Sequence, residues 1–277
     1  ARKPTEKIGF CEYNFIPCRF VDDNNESRKN LIEYIYQRLF ENGPQLIIVE
    51  AAAGFGKTSI SYELIKELSA DSKGTVPIIT ELSKNRTASI FKYVLLTEID
   101  SKFSNLSSEL VTYEIKQGKV PLIIDGFDEL LSKSHDDVPS NLSDSDEKTA
   151  QTMLSTIAQL LDENSHAKIV LTSRKSSIFA GELFEEWSDK HLPHCQITRI
   201  QIIPPVVSDW LDESKIKLLR SRGIVFDDIS NPTLLTFLSS QSNEDIASKF
   251  TSVDSILQQY FKILLEREQE RQSLPLK

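Results

Sequence analysis

The 277 residues carry a net charge of −9, with 26% charged and 39% hydrophobic side chains. This acidic balance gives no direct nucleic-acid signal, and no apolar run is long enough to span a bilayer. Three cysteines, Cys11, Cys18 and Cys195, are too few and too odd in number for a disulfide framework, which points to a reducing, cytoplasmic setting.

The chain begins at Ala1 and its only methionine is Met153, as expected of a piece of a longer protein. Five short β-branched runs follow in order: QLIIVE (45–50), VPIITEL (76–82), VPLIID (120–125), AKIVLTS (167–173) and QITRIQI (196–202). Their near-continuous apolar character is that of strands buried on both faces. Between them lie helical periods, one starting near Lys57 with Ile60, Leu64 and Leu68, one over 90–103, and a third over roughly 147–162. Strand–helix alternation predicts an α/β fold with a parallel five-stranded sheet. The polar stretch at 132–148 reads as a mobile surface loop. Beyond residue 203 the strands stop. IIPPVV reads as a hinge, followed by helical segments around 206–221 and 232–240 and an amphipathic helix from about 252. The expected division is therefore 1–203, a small helical lid at 204–250, and a last segment at 251–277.

The stretch VEAAAGFGKTSI (49–60) poses the functional question. A phosphate loop reads Gly, four residues, then Gly-Lys-Ser/Thr. Gly56, Lys57 and Thr58 fit, but Ala51 stands at the first glycine, where alanine is tolerated only without a positive φ. The alternative is a small-residue strand–helix turn. The phosphate reading makes Ala53, Gly54, Phe55, Gly56, Lys57, Thr58 and Ser59 the nucleotide-binding set. Backbone amides at a helix N-terminus converge on the anion, lysine adds a point charge, and the Thr58 hydroxyl serves Mg²⁺.

Downstream, VPLIIDGFDELL ends a buried strand on Asp125, at the sheet edge where α/β proteins bind ligands. Asp125 is a candidate metal ligand with Thr58, and Asp128 and Glu129 are candidate bases for an attacking water. A structural cap is the plainer alternative for Asp125. AKIVLTSR places Arg174 at the same edge, as a reader of a terminal phosphate or as an ordinary strand-end arginine. His191, His194 and Cys195 form HxxHC, a poor zinc site without a matching pair elsewhere.

Together GFGKT, LIIDGFDEL, IVLTSR and NPTLL resemble the NACHT family within the signal-transduction (STAND) class of P-loop ATPases. NFIPCRF (14–20) is similar to the stretch that precedes the loop in bacterial members. The resemblance runs from about 12 to 270, with Asp-Gly-x-Asp-Glu its most specific element and Ala51 a departure. It implies a P-loop NTPase core, ATP or ADP with Mg²⁺ as cofactors, and a switch in which ATP exchange permits self-oligomerisation, in antiviral defence or innate immunity. It also implies that Phe15, Ile16 and Pro17 border the base, that Pro232 beside Asn231 approaches from the lid, and that 251–277 begins a winged-helix segment. There are three rivals, of which the last stays open. A mechanical AAA+ motor would place glutamate where Gly126 stands, a small-molecule kinase would need an arginine-rich lid, and a nucleotide-holding module would bind without turnover.

Overall fold

The computed structural model describes residues 7–8, 11–12, 15–70, 75–82, 91–103, 105–128, 144–174 and 182–273, with the side chains of 7–12, 102, 144–150 and 267–273 left undescribed. The chain forms two compact units, one of Pro17–Ile203 and one of Pro204–Lys277 with Ala1–Ile16. In the latter, β1 (Lys7–Ile8) pairs antiparallel with β2 (Cys11–Glu12).

The unit Pro17–Ile203 opens with β3 (Phe20–Val21), β4 (Ser27–Arg28) and α1 (Leu31–Leu39). It continues with β5 (Gln45–Glu50), α2 (Lys57–Ala70), β6 (Ile78–Glu81), α3 (Phe91–Lys102), α4 (Ser108–Lys116) and β7 (Leu122–Asp125). It closes with α5 (Asp144–Ala158), β8 (Lys168–Ser173), α6 (Glu182–His191) and β9 (Gln196–Ile202). The sheet runs β4-β3-β9-β5-β8-β7-β6. It therefore has seven strands, two more than the sequence leads one to expect. The five from β5 to β9 pair in parallel, while β3 joins both β4 and β9 antiparallel. Two-residue strands such as β3 and β4 are too short to show any periodicity.

Every residue of β5, β7 and β8 is buried. Side chains alternate between the faces of a strand. Leu46, Ile48, Leu122, Ile124, Ile169 and Leu171 pack into one core with apolar residues of α3, α4, α5 and α6. The alternate Ile47, Val49, Ile123 and Val170 are also buried, and α1 and α2 contact the strands. Apolar on both faces, these strands fit only the interior of a layered α/β sheet.

One boundary differs from the sequence reading. The polar stretch expected to loop until 148 is helical from Asp144; its part before 144 lies outside the described residues. A polar run before an apolar helical period reads as a loop from sequence alone, although polar and acidic residues also begin helices.

The second unit is helical over 204–273. After a 3₁₀ turn at Val207–Asp209 come α7 (Glu213–Ser221), a 3₁₀ turn at Asp227–Ile229, α8 (Pro232–Ser240), α9 (Asn243–Lys249) and α10 (Val253–Ser273). Its core gathers Leu219, Ile229, Leu235, Phe237, Ile246 and Phe250, with the Phe237 and Phe250 rings edge-to-face at 5.8 Å. Side-chain caps start three of these helices: Asp212, Asn231 and Ser242 accept from backbone N–H groups in the first turn, the usual remedy for unpaired helical amides.

Candidate functional site

The site grows from the end of β5. The Ala51 amide donates to the Ser173 carbonyl at 3.0 Å, so the β5–β8 ladder runs one step past the strand. Ala51 is buried. The only described non-glycine residues with positive φ are Asn25 and Asn30. Alanine therefore stands at the first loop position without strain. The two positions that need the left-handed region hold glycine, Gly54 at φ 77° and Gly56 at φ 80°, where a Cβ would be costly. Phe55 N–H donates to the Ala52 carbonyl at 3.3 Å, tightening the turn, and the first helical bond of α2 runs from Ile60 N–H to Gly56 O at 2.9 Å. The amides of Lys57, Thr58 and Ser59 precede that bond, at the positive end of a fourteen-residue helix. The Lys57 ammonium reaches back across the loop, 3.4 Å from the Ala51 carbonyl. Ala53, Gly54 and Thr58 are exposed, and Phe55, Gly56 and Ser59 half-buried.

Asp125, the last residue of β7, meets the loop. Thr58 Oγ1 donates to its Oδ2 at 2.8 Å. Ser61 Oγ and Thr172 Oγ1 donate to its Oδ1 at 3.0 and 2.7 Å. The Thr172 hydroxyl accepts from Gly126 N–H at 3.0 Å, so its single proton is committed to the carboxylate. Among the described residues no cation pairs with Asp125, although it is only 6% exposed. A buried carboxylate held by hydroxyls alone lacks counter-charge. Together with the Thr58 hydroxyl it offers the hard oxygen donors that Mg²⁺ takes. Sequence reading missed Ser61 and Thr172. The first had a faint signal, since Thr58 and Ser61 are three apart on one helix face; a hydroxyl in the middle of a buried strand has none.

Asp128 and Arg174 meet each other. Arg174 Nε lies 2.8 Å from Asp128 Oδ2, and the Arg174 backbone N–H donates to Oδ1 at 3.2 Å. Asp128 is buried, while the Arg174 side chain is 56% exposed. The Ser173 hydroxyl beside it is buried and has no hydrogen-bond partner among the described residues. Glu129 lies outside the described residues. Phe15 and Ile16 are half-buried and Pro17 exposed, all outside any strand or helix. Pro232 occupies the first turn of α8 behind the Asn231 cap, whose side chain accepts from Thr233 N–H at 2.9 Å. Asn-Pro is thus also an ordinary helix start.

At this same end of β5, Glu50 is held by Arg199 from β9, Nη2 to Oε1 at 2.5 Å. The Arg199 guanidinium lies 4.6 Å from the Phe184 ring centroid, and its backbone N–H donates to both carboxylate oxygens of Asp23. This pair of a buried Glu50 and a half-buried Arg199 was also invisible in the sequence. The HxxHC stretch lies at the end of α6 and before β9. His191 stacks on Trp187 at 5.4 Å, burial pushes the Cys195 thiol up to about 12, and no group of three ligating residues occurs among the described residues. No described helix is long and apolar enough to cross a membrane.

No protein-family model matches the chain, and no curated protein matches it. Among solved structures it is similar to the HORMA:CdnC:Trip13 complex of E. coli MS115-1, at 13% identity and TM-score 0.39, with 79% of this chain and 74% of that chain covered. It is similar to the Aeropyrum pernix ORC1 protein in complex with DNA, at 15% identity and TM-score 0.39, covering 89% and 67%. AMPPCP-bound DnaA from Aquifex aeolicus follows at 14% identity and TM-score 0.34, covering 87% and 64%. The chain thus spans about two thirds of the length of the ORC1 and DnaA chains. Likeness at this level carries no inference about function, which rests on the site's own geometry.

Proposed function

We propose that this chain is the nucleotide-binding part of a P-loop ATPase that takes ATP and ADP with Mg²⁺ and acts as a slow molecular switch. The observation that carries the reading is the hydrogen bond from Thr58 to Asp125, sixty-seven residues apart in sequence. It brings the loop hydroxyl and a strand-terminal carboxylate together beside two left-handed glycines and a lysine. A small-residue turn has no need of that carboxylate.

In this reading the amides of the loop and of the first turn of α2 cradle the phosphates, and Lys57 supplies a fixed positive charge near their outer oxygens. Mg²⁺, when bound, neutralises charge on the β- and γ-phosphates. Thr58 and Asp125 would hold it, with Thr172 and Ser61 fixing the carboxylate's orientation. Glu129 and Asp128 are the candidate bases for water attack, and Arg174 the candidate terminal-phosphate reader. The resemblance to NACHT proteins supports a control role: a helical lid at 204–250 bearing Pro232, base contacts from Phe15 to Pro17, a winged-helix start from 251, and ATP-dependent self-oligomerisation in the cytoplasm in antiviral or innate immune defence. Gly126, directly after Asp125, speaks against the motor reading, in which a glutamate stands there.

Isothermal calorimetry with ATP and ADP in Mg²⁺ tests the reading, with Lys57→Ala as its control. Losing the ammonium should weaken binding at least about tenfold, or ~1.4 kcal/mol. Equal affinities in parent and variant would refute the phosphate loop. Phosphate release by the parent then separates a slow ATPase from a module that only holds nucleotide.

A further inference from the structure

We infer that Asp128 is a positioning residue for Arg174, and that the pair, rather than the arginine alone, distinguishes a nucleoside triphosphate from a diphosphate. The inference rests on the nucleotide reading of the site. One buried carboxylate holds one residue twice: Oδ1 takes the Arg174 backbone N–H and Oδ2 takes Nε. This closes a ring that runs through the arginine's own stem and fixes its first torsions. No other described group donates to Asp128, so both of its oxygens serve Arg174.

Nε is the inner nitrogen of the guanidinium. The two terminal amino groups remain as donors on a side chain that is more than half exposed. The end of β8 that carries Arg174 is fixed relative to the loop, because Ala51 N–H donates to Ser173 O, and relative to Asp125, because Thr172 donates to that carboxylate. A guanidinium held this way has already lost the rotamer freedom that a long side chain otherwise loses on binding. A planar fork anchored through Nε, whose terminal nitrogens have no partner among the described residues, suits an anion with several oxygens, and a terminal phosphate is such an anion. Because Asp128 balances the arginine's charge, a diphosphate that does not reach this edge gains nothing from it.

The test is a double-mutant cycle on the 277-residue chain, read as calorimetric affinity for ADP and for a non-hydrolysable ATP analogue, each with Mg²⁺. Arg174→Ala should weaken the analogue about tenfold, the scale of a hydrogen bond to a charged group. Asp128→Asn should lower it by a similar factor, because an amide cannot accept from Nε and the backbone amide together. The double variant should bind no worse than either single one, and ADP affinity should stay within about twofold throughout, as it also reports intact folding. Arg174→Lys, a change at an exposed side chain, should also weaken the analogue, since lysine lacks a separate inner nitrogen for the carboxylate and must share one ammonium between both anions. Parental analogue affinity in Asp128→Asn together with slowed hydrolysis would make Asp128 a base and overturn the inference. Tighter analogue binding would make it a competitor for the arginine and overturn it equally. Parental discrimination in Arg174→Lys overturns it even if Asp128→Asn fails to fold. A parent that binds neither nucleotide removes the underlying reading, and the inference with it.

Discussion

Asp125→Asn is expected to lower the Mg²⁺ affinity of the nucleotide-loaded chain by about 10- to 100-fold, the scale seen when the groups around a metal site are altered. The geometry gives two reasons. Loss of charge removes what a hard divalent cation prefers. The second reason is directional. Gly126 N–H fills the acceptor side of the Thr172 hydroxyl, so the proton of Thr172 must go to residue 125. An asparagine would therefore keep its oxygen toward Thr172 and turn its NH₂ toward Thr58. The Thr58 hydroxyl would then accept from that NH₂, using an oxygen lone pair that a metal needs. Titration of Mg²⁺ or Mn²⁺ at fixed nucleotide measures the effect, and Mg²⁺-free nucleotide affinity should change little. An unchanged metal requirement would remove Asp125 from the metal site.

The largest stability loss is expected from Arg199→Ala, about 3 kcal/mol, because removing one partner of a buried pair leaves the other charge uncompensated. The Glu50 side chain is 7% exposed and that of Arg199 19%, so solvent can relieve little of the cost. Packing on the Phe184 ring is lost as well. Urea denaturation should show a lower midpoint with an unchanged slope. Glu50→Gln in the Arg199→Ala background should recover part of the loss, since the stranded charge is gone. If Arg199→Ala alone changes stability by less than about 1 kcal/mol, as exposed pairs do, the pair is a surface contact in effect.

The strands from β5 to β9 were legible because strands buried on both faces leave unbroken apolar runs such as QLIIVE and KIVLTS. Gly54 and Gly56 were legible because the left-handed region leaves little choice of residue. Other elements left no such trace. Helices α1, α4 and α6 escaped notice, being nine or ten residues long with few buried positions on the last two. The β3 and β4 strands consist of two residues each. Strand order is a long-range property, so nothing local announced that β8 lies between β5 and β7. The partners at the site are equally remote: Thr172 is forty-seven residues from Asp125, and Arg174 forty-six from Asp128. Sequence spacing could nominate these side chains singly; only the sheet pairs them.

The position of β5 also governs how the protein is made. This strand bears the loop, yet its two neighbours, β8 and β9, come about 120 and 150 residues later in the chain. While the chain is being synthesised, QLIIVE emerges before both partners and waits with both edges unpaired, an apolar segment open to the wrong partner. Closing such distant pairings is slow. The loop therefore acquires its final geometry only after synthesis has run through β9, about 150 residues beyond β5. Chaperone dependence in expression, and aggregation of shortened chains that end before β9, follow from the same topology that buries the strand so completely.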